Sequence, residues 1–136
     1  MKVVLDTNVI TASLAVRGLC HSVFELCLDR FEVIISPFLI DELQSSLSKK
    51  LKLPDRLIKE IIDFFSENSI MIDVDETPQN VCEDPEDAKI LALAQKSGAA
   101  YLITGDKDLL KIKKFASSKI LSPRQFWERV RKRRET

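Results

Sequence analysis

Short continuous apolar runs alternate along this chain with segments whose apolar residues recur every three or four positions. The first run, "KVVL" at 2–5, has the pattern of a strand buried on both faces of a parallel sheet. A helical stretch follows with Val9, Ile10 and Leu14 apolar and, after Gly18, Val23, Phe24, Cys27 and Leu28. "EVIIS" is a second buried strand. Ser36-Pro37 reads as an N-cap and first helical residue, opening "FLIDELQSSLSKKL". Pro54-Asp55 starts "RLIKEIIDFFSEN", where Leu57, Ile58, Ile61, Ile62 and Phe65 make one stripe. "IMIDV" is the third strand, and a polar loop runs on through Gln79 and Asn80. Asp84-Pro85 repeats the cap-and-proline pattern before "EDAKILALAQKS", which Gly98 closes. "YLIT" is the fourth strand, leading into the acidic "GDKDLL". "KIL" at 119–121 is the fifth, and Ser122-Pro123 opens a last helix, "RQFWERVRKRRE".

Strands and helices in alternation predict an α/β fold around a mostly parallel central sheet of about five strands. At 136 residues the chain fits a single domain, 1–136, with no internal repeat or interdomain linker. The 45% hydrophobic and 31% charged shares fit an ordinary globular protein, and no apolar run is long enough to span a bilayer, so no membrane partner is expected. No signal peptide is visible at the amino terminus, and Cys20, Cys27 and Cys82 form neither a paired framework nor a C-x-x-C motif, which points to the cytoplasm. His21 is the only histidine, so a His-rich metal site is excluded. The net charge is zero, yet residues 107–136 carry 11 of the 21 Lys and Arg and only 3 of the 21 Asp and Glu, a net of +8 against −8 elsewhere. Arg129, Arg131, Lys132, Arg133 and Arg134 are thus either a polyanion-holding arm or a solvated helix end favoured by the helix dipole.

Candidate chemistry lies at the ends of the strands, because open α/β sheets bind ligands outside the carboxyl ends of their strands. Asp6 follows the first strand and Asp106 the fourth; Asp87 sits in the first turn of the helix before the fourth strand, and Glu42 about two turns into the helix after the second. This topology sends all four carboxylates toward one pocket. Packed acids repel one another and raise each other's pKa unless a cation neutralises them, and Mg²⁺ or Mn²⁺ prefers oxygen ligands. Such a cation activates water and stabilises phosphoryl charge, so hydrolysis needs neither His nor a nucleophilic Ser. An acidic pocket beside a basic tail suits a phosphate-backbone substrate. Two further acids have structural readings: Asp84 as an N-cap, with Asp87 completing a capping box, and Asp108 as a cap of "KDLL".

The segments "VVLDTNV", "SPFLIDEL", "EDPEDAKILALAQKSGAAYLITGDKDLL" and "ILSPRQFW" resemble, in order and over nearly the whole chain, the PIN-domain family of metal-dependent ribonucleases. The resemblance implies a three-layer α/β/α sandwich, Mg²⁺ or Mn²⁺ as cofactor, and hydrolysis of single-stranded RNA. It implies that Asp6, Glu42, Asp87 and Asp106 are the four catalytic and metal-binding acids. Asn8 and Thr104 match positions that support such a site, with Asp84 and Asp108 beside them. The "DP-acid-D" pattern is similar to a VapC-like toxin branch, which implies a cognate antitoxin protein and a homodimer. That branch often has Asn after the third acid, where this chain has Ala88.

Two other classes compete. A non-catalytic PIN-like module binding RNA or protein would have no reason to keep four repelling carboxylates. A phosphoryl-transfer enzyme with Asp6 as covalent nucleophile would want a second Asp two positions on, where the chain has Asn8; Asp73 lacks convincing Lys and Thr partners, and no glycine-rich phosphate loop is present.

Overall fold

The computed structural model describes residues 1–75 and 84–135, with the side chains of 132–135 left aside. Gln79, Asn80, Cys82 and the side chains of Lys132, Arg133 and Arg134 therefore lie outside the described residues. The elements run β1 (Lys2–Leu5), α1 (Thr7–Ala15), α2 (Leu19–Arg30), β2 (Glu32–Ile35), α3 (Pro37–Lys49), α4 (Asp55–Asn68), β3 (Ile70–Met71), α5 (Pro85–Ser97), β4 (Tyr101–Ile103), α6 (Lys107–Ile112), β5 (Lys114–Phe115), β6 (Ser118–Leu121) and α7 (Pro123–Glu135).

The strands form one sheet in the order β3-β2-β1-β4-β6-β5. Every pairing is parallel except the β5–β6 hairpin. Alternate residues of each strand face opposite ways, and the burial follows. Val3, Leu5, Val33, Ile35, Tyr101 and Ile103 pack with residues of α1, α2, α3, α4 and α7. Val4, Ile34, Leu102 and Ile120 pack on the other face with α5 and α6. This is the expected α/β fold with a layer of helices on each side of a mostly parallel sheet.

Three elements depart from the sequence pattern. "IMIDV" pairs only at Ile70–Met71, an exposed edge strand, although Ile72 N still donates to Ile35 O at 2.8 Å. Beyond it, Ile72 and Val74 turn into the α5 side of the core, which accounts for their apolar character without a strand. The β5 strand was not expected; its turn, with Ala116 at φ 52°, carries none of the Asn-Gly or Gly signals that usually mark a hairpin. Ser36 occupies the N-cap backbone position of α3, but its hydroxyl makes no capping bond and is buried without a partner among the described residues. At α7 the expectation holds fully: Gln125 N donates to Ser122 Oγ and Ser122 N to the Gln125 side-chain carbonyl, a reciprocal capping box.

Phe24 is core, stacked on Phe65, and Phe38 packs partly buried against the α5-side core, whereas Phe64 is 47% exposed. Cys20 and Cys27 are free thiols. His21 is half-buried, bound to the Ser13 carbonyl and paired with Glu25. No single helix among the described residues is long and apolar enough to cross a membrane; α1 and α2 together would pass by composition, but they bend by 111° and their apolar residues fill the core.

Candidate functional site

The carboxyl end of each central strand delivers a polar residue. Asp6 ends β1, and its N–H donates to Ile103 O of β4, which locks the two strand ends together. The next residue of that neighbour, Thr104, is fully buried; its hydroxyl donates to Asp6 Oδ2 at 2.7 Å and accepts the Asp106 N–H at 3.0 Å. One threonine thus fixes the Asp6 carboxylate and the backbone of Asp106 relative to each other. Asp6 makes no full side-chain capping bond to α1, although the N–H groups of Asn8 and Thr7 in its first turn face the carboxylate.

Asp106 does cap a helix: its Oδ1 accepts from the N–H groups of Asp108 and Leu109. This corrects the expected role of Asp108, which stands in the first turn of α6 rather than capping it. The capping bonds fix the Asp106 carboxylate, and Asp108 stands beside it in the first turn of α6. At the start of α5, Asp84 caps through Glu86 N, and Asp87, 8% exposed, turns to the strand ends instead of completing a capping box. Asp87, Asp106 and Asp108 each offer a carboxylate oxygen within 4.8 Å of the others'.

Lys111 pairs with Asp108 at 3.9 Å, at the exposed side of this group. Burial pushes the Asp6 carboxyl above its ordinary range, against the opposing Thr104 hydroxyl. Burial, then the negative charges of Asp106 and Asp84, push Asp87 up to about 6. Glu42 lies on the α3 wall, where Thr7 Oγ1 donates to its Oε2 at 3.1 Å. Burial and the facing carboxyl of Glu86 push Glu42 up to about 7, while the contact with Glu42 lowers Glu86.

The four acids expected to meet therefore do gather at one end of the sheet, but not as equals. The tightest trio is Asp87, Asp106 and Asp108; Asp6 adjoins it through Thr104, and Glu42 stands across from Glu86. Asn8 is exposed, and its side-chain carbonyl accepts from Lys50 Nζ at 3.3 Å. Glu86 and Thr7 were missed by sequence reasoning, although a second acid in the first turn of α5 was visible in "EDPED".

One arginine of the basic C-terminal helix is held at the start of β4: Arg129 Nε donates to Tyr101 OH, and its guanidinium lies 5.9 Å over that ring. Tyr101 opens β4, while Thr104 follows its end, so the two are roughly 10 Å apart along the strand. A helix that leaves the sheet at Ser122 must run back toward the opposite edge to make this contact.

An all-oxygen donor set that includes half-buried and buried carboxylates fits a hard divalent cation, whose charge would offset the cost of keeping them ionised there. The profile of the PIN domain matches residues 2–108. The chain belongs to the PIN-domain family. This PIN domain is also similar in fold to VapBC2 from Rickettsia felis bound to a DNA fragment from their promoter, with a TM-score of 0.64 and 18% identity over 90% of this chain and 98% of that one. FitAcB from Neisseria gonorrhoeae aligns with a TM-score of 0.61 and 20% identity, covering 89% and 97% of the two chains. FitAB bound to an IR36 DNA fragment gives 0.61 and 19%, covering 89% and 94%. No curated protein matches the chain.

Proposed function

We propose that this PIN domain is a divalent-metal-dependent endoribonuclease that hydrolyses phosphodiester bonds of single-stranded RNA, and that it is the toxin of a toxin–antitoxin pair. The observation that carries the reading is the gathering of Asp6, Asp87, Asp106 and Asp108 at the carboxyl ends of β1 and β4, with Asp6 and Asp87 held above the ordinary carboxylate range. A structural cap or a solvated helix turn gives no reason for carboxylates from three separate elements to share one space.

Asp87, Asp106 and Asp108 would hold Mg²⁺ or Mn²⁺, with Asp6 and Glu42 completing the acidic set. The cation supplies neutralisation of phosphoryl charge and activation of water. The chain's own residues do the positioning: Thr104 orients Asp6, the α6 cap orients Asp106, and Thr7 orients Glu42. Hydrolysis adds water across one P–O bond, leaving a phosphate on one fragment and a hydroxyl on the other.

The likeness to VapBC2 and FitAB supports a protein partner, here a cognate antitoxin. The reading includes one domain over the whole chain, a homodimer and a cytoplasmic setting. Its test is Asp6→Asn: metal-dependent cleavage of a single-stranded RNA oligonucleotide in Mn²⁺ falls on the order of 100-fold or more while the circular dichroism spectrum is unchanged. Undiminished cleavage refutes the assignment. Absence of any Mn²⁺ affinity by calorimetry favours the non-catalytic module instead.

A further inference from the structure

A cleft of about 310 Å³ opens from the acidic site along α3. Its lining includes Asp6, Asn8, Glu42, Ser45, Lys49 and Lys50. Residues 42, 45 and 49 follow the three- and four-residue spacing that puts them on one helix face, and seven residues of helix span about 10 Å. The same face of α3 therefore passes from carboxylate to ammonium along one continuous groove.

The helix dipole favours a cation in the last turn of α3, but it does not explain two of them in this groove. Neither Lys49 nor Lys50 makes an ion pair among the described residues, whereas Lys59, Lys89, Lys96 and Lys111 each pair with a carboxylate. Lys50 instead reaches the neutral Asn8 side chain across the cleft, which holds its ammonium over the groove. Of the C-terminal cations, Arg129 is engaged with Tyr101, and Lys111 pairs with Asp108.

We propose that Lys49 and Lys50 hold the phosphate backbone of the substrate RNA beside the point of cleavage, with α3 as the track that leads it to the acids. This rests on the nuclease reading for the identity of the ligand. The ammonium groups contact phosphates flanking the scissile one, so they bind and position without touching the reacting atoms. Such contacts carry no base information and are strongly salt-dependent.

The test is binding of a fluorescein-labelled single-stranded RNA oligonucleotide to the full chain in EDTA, by anisotropy across a salt series. Each phosphate contact on a single strand contributes about 0.7 to the slope of log K against log salt, so Lys49→Gln/Lys50→Gln should flatten the slope by about 1.4 and weaken binding on the order of tenfold. Lys49→Arg/Lys50→Arg retains both, and Lys59→Gln on α4 changes neither. With Mn²⁺ present, the glutamine pair raises KM and leaves kcat near wild type. An unchanged slope in the glutamine variant overturns the proposal, as does wild-type protein that binds no RNA. Binding in EDTA requires no hydrolysis, so a lysine-dependent slope without metal-dependent cleavage would sink the nuclease reading while leaving the track in place.

Discussion

At the scale of single residues, the site depends on side chains that do two things at once. Asp106 caps α6 with one carboxylate oxygen and adds its charge to the trio with Asp87 and Asp108. Asn caps a helix about as well as Asp, so Asp106→Asn separates the two roles. Thermal stability should hold within about 0.5 kcal/mol, the ordinary range for a substitution that keeps its structural feature. Calorimetric affinity for Mn²⁺ should fall roughly tenfold or more, because a hard cation loses an anionic oxygen donor. An affinity equal to wild type would remove Asp106 from the metal set. Asp6 and Asp106 were legible in the sequence because each follows an apolar strand run. Thr104 was legible only by resemblance, since a threonine at a strand end usually serves turn or backbone bonding.

At the scale of elements, position comes from how each helix starts and stops. The α5 helix begins with Asp84 and Pro85, which orient its first turn and so place Asp87 inward. It ends at Gly98, whose φ of 69° is left-handed and whose N–H bonds back to Ala94 and Gln95. A Cβ there meets nothing within 4 Å, so the penalty of Gly98→Ala is conformational rather than steric crowding. Chemical denaturation should register a loss of about 1 kcal/mol with an unchanged m-value. Full stability in the alanine variant would mean that the α5–β4 connection tolerates another backbone path. The caps at Ser122 and Asp84 were legible because their side chains bond locally. The truncated β3 and the β5–β6 hairpin were not, because two-residue strands are set by a neighbouring strand's free edge and not by their own periodicity.

At the scale of the molecule, gathering acids at one end of the sheet makes stability depend on pH and metal. Asp6, Asp87 and Glu42 all bind protons more tightly folded than unfolded, with Asp87 near 6 and Glu42 near 7. A raised carboxylate pKa stabilises the fold below the unfolded value, and that contribution is lost as pH rises through the folded one. In EDTA, Tm should therefore decline from about pH 4.5 to above pH 7 through these groups, a trend that Mn²⁺ reverses at pH 8. Saturating metal at about 100 times its Kd adds about 2.7 kcal/mol. A Tm that Mn²⁺ leaves untouched at pH 8 would show that the carboxylates do not bind it.

The sequence by itself determined the alternation of buried strands and helices, the caps that bound α5 and α7, and the presence of acids just beyond the strands. These are written locally, since continuous apolar runs, proline at a first helical turn and an acid after a strand each report on their own neighbourhood. Only the tertiary structure decided which carboxylates touch, which one faces Glu86, and where the cations lie. It moved Asp108 from cap to cluster, tied Arg129 to Tyr101 at the start of β4, and set Lys49 and Lys50, at the end of α3, in the cleft beside Asp6 and Glu42. The physical reason is that adjacency across the sheet is fixed by parallel register and helix packing between residues such as Asp6 and Thr104, nearly a hundred positions apart, and no local pattern encodes it.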